Sequence, residues 1–123
     1  MKLPLIISTA AASELRDHVA RIARVSPSTA RHLNEEVGTT FDLISEFPQL
    51  YERFDGELRR AVLKRWSLGI YYERLPNGIF VAAILDLRRD PSVIRRRLGL
   101  HESAADFLVG AVMALPSVRP PLF

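Results

Sequence analysis

The stretch LKRWSLGIYYERLPNGIFVAAILDLRRDP, residues 63–91, decides the fold. Apolar and aromatic side chains recur in it with a period of about two, the spacing typical of β-strands. Pro76-Asn77-Gly78 separates its halves with residues typical of a hairpin turn. We therefore predict consecutive antiparallel strands over Leu68–Arg74 and Ile79–Leu87, preceded by a third strand over Leu58–Trp66.

The Ile79–Leu87 strand is apolar on both faces, which is typical of a strand inside a sheet. Strict alternation places Ile79, Val81, Ala83, Leu85 and Leu87 on one face, and Phe80, Ala82 and Ile84 on the other. Asp90 followed by Pro91 is typical of the N-cap and first residue of a helix, here a short basic one over Ser92–Leu98.

The first 50 residues predict one strand and two helices. Residues 3–8 are apolar, and Pro4, which has no N–H, favours a place at the edge of the sheet. Apolar residues then recur at helical spacing over 9–25 and 27–47, with Ser26-Pro27 opening the second helix. Gly38 indicates either a close approach of the two helices or a tolerated glycine.

The predicted fold class is α+β. An N-terminal strand and an α-helical hairpin pack on a small, mainly antiparallel four-stranded sheet, and short C-terminal helices follow. We predict a domain at 1–98 and a C-terminal extension at 99–123. The extension is expected to be helical and then extended, because its middle is apolar nearly all round and three prolines lie in its last eight residues.

Composition excludes several classes of function. The 123 residues include no Cys and only three scattered His, which argues against thiol chemistry and against a metal site, and we expect no cofactor. No apolar run approaches the roughly 18 residues of a membrane span, and the N-terminus lacks the pattern of a secretory signal. We therefore expect a cytoplasmic protein with no membrane contact.

The net charge of +3 is unevenly distributed. Residues 1–50 and 99–123 each carry −1, whereas residues 51–98 carry +5. Nearly all of the basic residues are Arg, whose planar guanidinium suits carboxylate and phosphate partners. The middle segment is therefore where we expect a polyanion or an acidic protein to bind.

Four stretches resemble the RelE/ParE superfamily of toxins from bacterial type II toxin–antitoxin operons. They are LISEFPQLYERF, the strand start Leu58-Arg59-Arg60, LKRWSLGIYYERL with its paired Tyr71-Tyr72, and IFVAAILDLRRDP. The resemblance covers roughly residues 3–98 and is closer to the ParE-like branch in the LRR start and the RRDP ending. It implies a growth-inhibiting toxin of the plasmid-stabilization type. Such a toxin is neutralised, in a hetero-oligomeric complex, by a small, acidic, DNA-binding antitoxin encoded nearby.

The resemblance implies one of two activities. ParE-like members inhibit DNA gyrase without known hydrolytic chemistry, whereas RelE-like members cleave messenger RNA on the ribosome. If the chain is a metal-independent endoribonuclease, its candidate residues are Lys64, Arg65, Tyr72, Asp86, Arg88 and Arg89. Cleavage also needs an acid and a base. Asp86 stands where many relatives place a His, and no Tyr follows Tyr72, so we favour binding of gyrase over catalysis.

The basic residues of the middle segment are the candidate binding residues. For the antitoxin we predict Arg53, Arg59, Arg60 and Lys64, in a groove between the helical hairpin and the sheet. For the cellular target we predict Arg88, Arg89, Arg95 and Arg96. Structural interpretations of these basic residues stay open. They are a solvated strand face for Arg59, Arg60, Lys64 and Arg65, a strand-to-helix corner capped by Asp90 for Arg88 and Arg89, and a solvated basic helix end for Arg95, Arg96 and Arg97. A non-toxic binding module that retains the fold is the third possible function.

Overall fold

The computed structural model describes residues 2–100. Its elements are β1 (Leu5–Ile7), α1 (Thr9–Ala23), α2 (Pro27–Glu46), β2 (Arg53–Asp55), β3 (Leu58–Leu63), a 3-10 turn (Lys64–Trp66), β4 (Leu68–Leu75), β5 (Gly78–Asp86) and α3 (Pro91–Arg97). The strands form one sheet in the order β1-β5-β4-β3-β2. β1 pairs in parallel with β5, and the other neighbours are antiparallel. The chain divides into two compact units, 1–86 and 87–123, and the whole sheet lies in the first.

The α+β class and the order of elements are confirmed, but the sheet has five strands instead of the predicted four. The additional strand is β2, which lies where the sequence predicts only a loop around Phe54. Three residues are too few to show a period of two, and Gly56, with a φ of 56°, makes the tight turn into β3. β3 ends at Leu63, before the predicted Trp66, because the chain turns into the 3-10 segment there.

Side-chain caps begin both long helices. The Ser8 hydroxyl accepts a hydrogen bond from the Ala11 N–H (3.0 Å), and the Ser26 hydroxyl accepts one from the Thr29 N–H (3.2 Å). These bonds satisfy backbone donors that the first turn of a helix leaves unpaired. Gly38 is exposed, and a Cβ placed there would meet nothing within 4 Å. It is therefore a tolerated glycine, and the alternative prediction, a close approach of the two helices at this position, is wrong.

The hydrophobic core lies between the helical hairpin and one face of the sheet. Its buried members are Ala11, Leu33, Val37, Ile44, Ala61, Leu63, Leu68, Ile70, Tyr72, Ile79, Val81 and Ile84. Partly buried residues such as Leu15, Phe41 and Trp66 pack around this core. The space between hairpin and sheet, where we expected a binding groove, is therefore filled by the core.

A β-bulge in β5 corrects the predicted faces of that strand. Tyr71 pairs with Ala83 and Tyr72 pairs with Val81, so Ala82 is an extra residue in β5. The bulge reverses the alternation, and Val81 and Ile84 both face the core. Strict alternation predicts instead that Ala83 shares the face of Val81 and that Ile84 lies on the other face. This prediction is wrong, because a sequence pattern does not reveal an inserted residue.

Helix α1 binds the backbone around this bulge through two side chains. The Ser8 hydroxyl donates to the Ala82 carbonyl (3.1 Å), and the Glu14 carboxylate accepts from the Ile84 N–H (3.1 Å). His18, one turn further along α1, lies within hydrogen-bonding reach of the Ile84 backbone. Backbone groups of Ala82 and Ile84 in β5 are thus satisfied by the N-cap residue and the side chains of α1.

The second unit contributes α3 to the described residues. The Asp90 carboxylate caps this helix by accepting from the Ser92 N–H (2.8 Å), and Pro91 is its first residue, as predicted. Gly99, with a φ of 76°, follows its end. The predicted C-terminal extension beyond residue 100 lies outside the described residues. No helix within residues 2–100 is long and apolar enough to cross a membrane.

Candidate protein-binding surface

The two arginines of β3 lie on opposite faces of the sheet. Arg59 pairs in register with Tyr72 and lies on the core face, where its guanidinium donates to the Tyr51 carbonyl (2.7 Å). Arg60 pairs with Tyr71 and lies on the face turned away from the helical hairpin, which we call the outer face. Sequence analysis grouped the two residues in one binding set, but a strand separates consecutive side chains.

An aromatic cluster holds Arg60 on the outer face. Its guanidinium carbon lies 4.8 Å from the centre of the Phe54 ring and 5.9 Å from that of Tyr71. The two rings contact each other edge to face, with centres 5.1 Å apart and planes at 82°. Cation–π and edge-to-face contacts of this kind fix the position of the guanidinium without neutralising its charge.

A pocket of about 460 Å³ opens beside this cluster, at the β2 edge of the sheet. Its lining comes from the loop after α2, from β2 and from β3: Leu50, Tyr51, Glu52, Arg53, Phe54, Arg60 and Val62. Leu50 is 54% exposed and Val62 is 39% exposed. The pocket therefore presents apolar side chains to solvent next to two arginines.

The structure brings together two of the four predicted antitoxin-binding residues. Arg53 and Arg60 both line the pocket, whereas Arg59 lies on the core face. Lys64 begins the 3-10 turn at the far end of β3 and is exposed. Sequence reasoning missed Leu50, Phe54 and Val62. The FDG turn next to a strand rich in arginine was the available signal for Phe54.

Tyr72, a candidate nuclease residue, is completely buried. Its hydroxyl donates to the Pro48 carbonyl (2.7 Å), and burial raises the pKa of that hydroxyl above its ordinary value. Its position within the core gives it no access to a substrate and no role as a base near neutral pH. Alternation along a strand predicts that Tyr71 and Tyr72 lie on opposite faces, one of them in the core and the other partly exposed. They do lie on opposite faces, but Tyr71 is as fully buried as Tyr72, so the predicted exposure is wrong.

The other nuclease candidates are spread along the chain. Arg65 lies over the ring of Trp66 at 4.6 Å, and the Trp66 indole N–H donates to the Glu36 carboxylate on α2 (2.9 Å). Asp86 is the last residue of β5 and is half-buried. The residues 2–100 contain no group of three His, Asp or Glu side chains placed to hold a metal ion.

The predicted target-binding arginines belong to the second unit. Arg88 and Arg89 are exposed in the turn before α3, Arg95 is half-buried and Arg96 is exposed. Hydrogen bonds from the Ser92 hydroxyl and N–H hold the pKa of the Asp90 carboxyl below its ordinary value. This corner has the geometry of a capped strand-to-helix connection, the structural interpretation left open for Arg88 and Arg89.

Comparison with known proteins identifies the fold and then the family. The chain is similar to a solved structure described as "Chromosomal ParDE TA system from P. aeruginosa", with a TM-score of 0.62 and 15% sequence identity, covering 71% of this chain and 98% of that chain. No curated protein matches the chain. The model of a family described as "ParE toxin of type II toxin-antitoxin system, parDE" matches residues 5–91. The chain therefore belongs to the ParE toxin family, which confirms the resemblance seen in the sequence.

Proposed function

We propose that the protein is a cytoplasmic toxin that arrests growth by binding DNA gyrase and that a cognate antitoxin, encoded nearby, holds it inactive. The observation that carries the proposal is the match to the ParE toxin family over residues 5–91. The similar structure is described as a toxin–antitoxin system, which supports an antitoxin as a partner of this chain.

The state of the candidate catalytic residues supports binding over RNA cleavage. Tyr72 is buried, and its hydroxyl donates a hydrogen bond to the Pro48 carbonyl. An Asp, at position 86, occupies the end of β5 where a nuclease of the superfamily would use a His. Metal-free cleavage needs a positioned acid and base near a phosphate, and these residues do not supply the pair.

Purified gyrase provides the direct test of the target. We expect the isolated protein to inhibit supercoiling of a relaxed plasmid, and the same protein in complex with its antitoxin to leave supercoiling unchanged. A parallel translation reaction, followed by primer extension on the messenger RNA, tests the alternative. Full supercoiling in the presence of folded toxin contradicts the gyrase proposal, and cuts in ribosome-bound messenger RNA would assign the RelE-like activity instead.

A further inference from the structure

The first strand presents an uncharged, apolar edge to solvent. β1 is an end strand of the sheet and pairs, among the described strands, only with β5. Within it Ile6 is 56% exposed and Ile7 is 37% exposed, so two consecutive large apolar side chains face solvent. No charged side chain occurs between residues 3 and 13. An open strand edge of this composition is a template for pairing with another strand.

The opposite edge of the sheet is protected by charge. β2 contains Arg53 and Asp55, and Glu57 follows in the turn to β3. Charged side chains on an edge strand oppose pairing with a second strand, because burying them in a new sheet costs free energy. The two edges therefore differ in chemistry, and β1 is the one suited to strand pairing.

Pro4 does not protect the β1 edge. Its carbonyl accepts a hydrogen bond from the Ile79 N–H (2.8 Å), so the backbone groups of Pro4 face β5. Because successive residues of a strand direct their backbone groups to opposite sides, those of Leu5 and Ile7 face the open edge. The missing N–H of Pro4 lies on the paired side and removes no donor from the open edge.

The contacts of Leu3 agree with this alternation. Its N–H donates to the Ser45 carbonyl near the end of α2 (3.0 Å), and its carbonyl accepts from the Ser45 hydroxyl. Leu3 is thus turned away from β5, as Leu5 and Ile7 are, and its backbone groups are satisfied by α2. The open edge therefore consists of the backbone groups of Leu5 and Ile7.

We infer that two copies of this chain associate by antiparallel pairing of their β1 strands. The N–H and C=O of Leu5 in one copy pair with those of Ile7 in the other, about a two-fold axis beside Ile6. Ile6 is in register with Phe80 and lies on the outer face. The two Ile6 side chains therefore lie directly opposite each other and bury apolar surface that the single copy exposes.

Charge complementarity favours a second copy as the occupant of this edge. A strand that fits here must itself be apolar and uncharged, and an isologous interface supplies one because it presents the same residues from both sides. The basic residues of β2 and β3 lie at the far edge of the sheet, so approach through β1 keeps those of the two copies apart. The inference concerns the fold alone and does not depend on the proposed function.

Sedimentation equilibrium of the full chain, made by cell-free synthesis, tests the association. A short strand buries little area, so we expect a weak dimer with a Kd above about 1 μM. A chain that remains monomeric up to a concentration of about 1 mM overturns the inference.

Charge variants at Ile6 test the interface. Ile6→Lys and Ile6→Glu each place two like charges directly opposite each other at the axis, and each should raise the Kd about tenfold. The melting temperature should be unchanged, because Ile6 is more than half exposed. Val25→Lys, at a residue that is 89% exposed, is the matched control and should keep the wild-type Kd. A wild-type Kd for both Ile6 variants overturns the inference.

An equimolar mixture of the two Ile6 variants distinguishes strand pairing from damage to the fold. Lys and Glu attract each other across the axis, so the mixture should form a heterodimer with a Kd about tenfold below that of either variant alone. Mixing would not repair a misfolded chain. A mixture that associates no more than its components would count against pairing at Ile6 and overturn the inference.

Amide exchange measured by NMR provides a readout that needs no variant. As the concentration of the wild-type chain rises, we expect exchange of the Leu5 and Ile7 amides to slow. The amides of β2, residues 53–55, should keep their rates, because β2 lies at the opposite edge of the sheet. Slowing confined to β2 or to the helical hairpin would place the contact elsewhere and overturn the inference.

Discussion

Tyr71 and Tyr72 are neighbours in β4, but their hydroxyl groups differ in hydrogen bonding. Both are fully buried, on opposite faces of β4. The Tyr72 hydroxyl is bonded to the Pro48 carbonyl, whereas the Tyr71 hydroxyl has no hydrogen-bond partner among the described residues. A buried hydroxyl without a partner costs about 1–3 kcal/mol, and a satisfied one contributes about 0.5–1.5 kcal/mol.

The paired variants Tyr72→Phe and Tyr71→Phe test this difference. We expect Tyr72→Phe to lower the free energy of unfolding by about 1 kcal/mol, because it leaves the Pro48 carbonyl unpaired. Tyr71→Phe keeps the ring contacts with Phe54 and should be neutral or stabilising. Urea unfolding of both variants gives the comparison, and an equal loss at the two positions would contradict the assignment.

His18 makes the stability of the fold dependent on pH. Burial, followed by the nearby Arg21 cation, lowers the pKa of His18 below its ordinary value of 6.5, although Glu14 and Asp86 oppose the shift. The folded chain therefore binds this proton less readily than the unfolded chain. The contribution of His18 is complete above a pH of about 6.5 and is lost as the pH falls through the folded pKa.

The variant His18→Gln isolates this contribution. We expect its free energy of unfolding to change less than that of the wild type between about pH 7 and pH 5, because Gln does not titrate. Urea unfolding at closely spaced pH values measures the two slopes. A slope for the variant as steep as that of the wild type would show that other groups cause the pH dependence.

At the scale of elements, a hydrogen bond between α1 and β5, close to the bulge, adds to the core packing that holds the helical hairpin on the sheet. The Glu14 carboxylate accepts the Ile84 N–H at 3.1 Å. Glu14→Ala should lower the free energy of unfolding by about 1.5–3 kcal/mol, the range for hydrogen bonds to charged groups, and Glu14→Gln should retain much of it. Asp17→Ala, at an exposed position of the same helix, is the control. Equal losses for the two alanine variants would show that the bond to the bulge contributes nothing.

Elements with clear local signals were predictable from the sequence, and elements defined by pairing were not. Ser26-Pro27 and Asp90-Pro91 begin helices where they were predicted to. β2 and the bulge at Ala82 were missed, because a three-residue strand and an inserted residue are defined by their partner strands. For the same reason the sequence pointed to Arg60 but could not separate it from Arg59, whose side chain lies on the other face.

At the scale of the whole molecule, the family match accounts for the sheet and the helical hairpin. The family match spans residues 5–91. The similarity to the solved structure covers 71% of this chain and 98% of that chain. The predicted extension from residue 99 lies beyond the matched range. The excess positive charge of the middle segment includes the two arginines of the pocket, which makes that segment the expected contact for an acidic partner.

The central claim, that this chain is a toxin controlled by an antitoxin, is tested most directly by regulated expression in bacterial cells. We expect induction of the full chain alone to arrest growth with filamentation and DNA-damage signalling, and co-expression of the protein encoded beside it to restore growth. Normal growth in cells that contain the folded, full-length chain would contradict the claim.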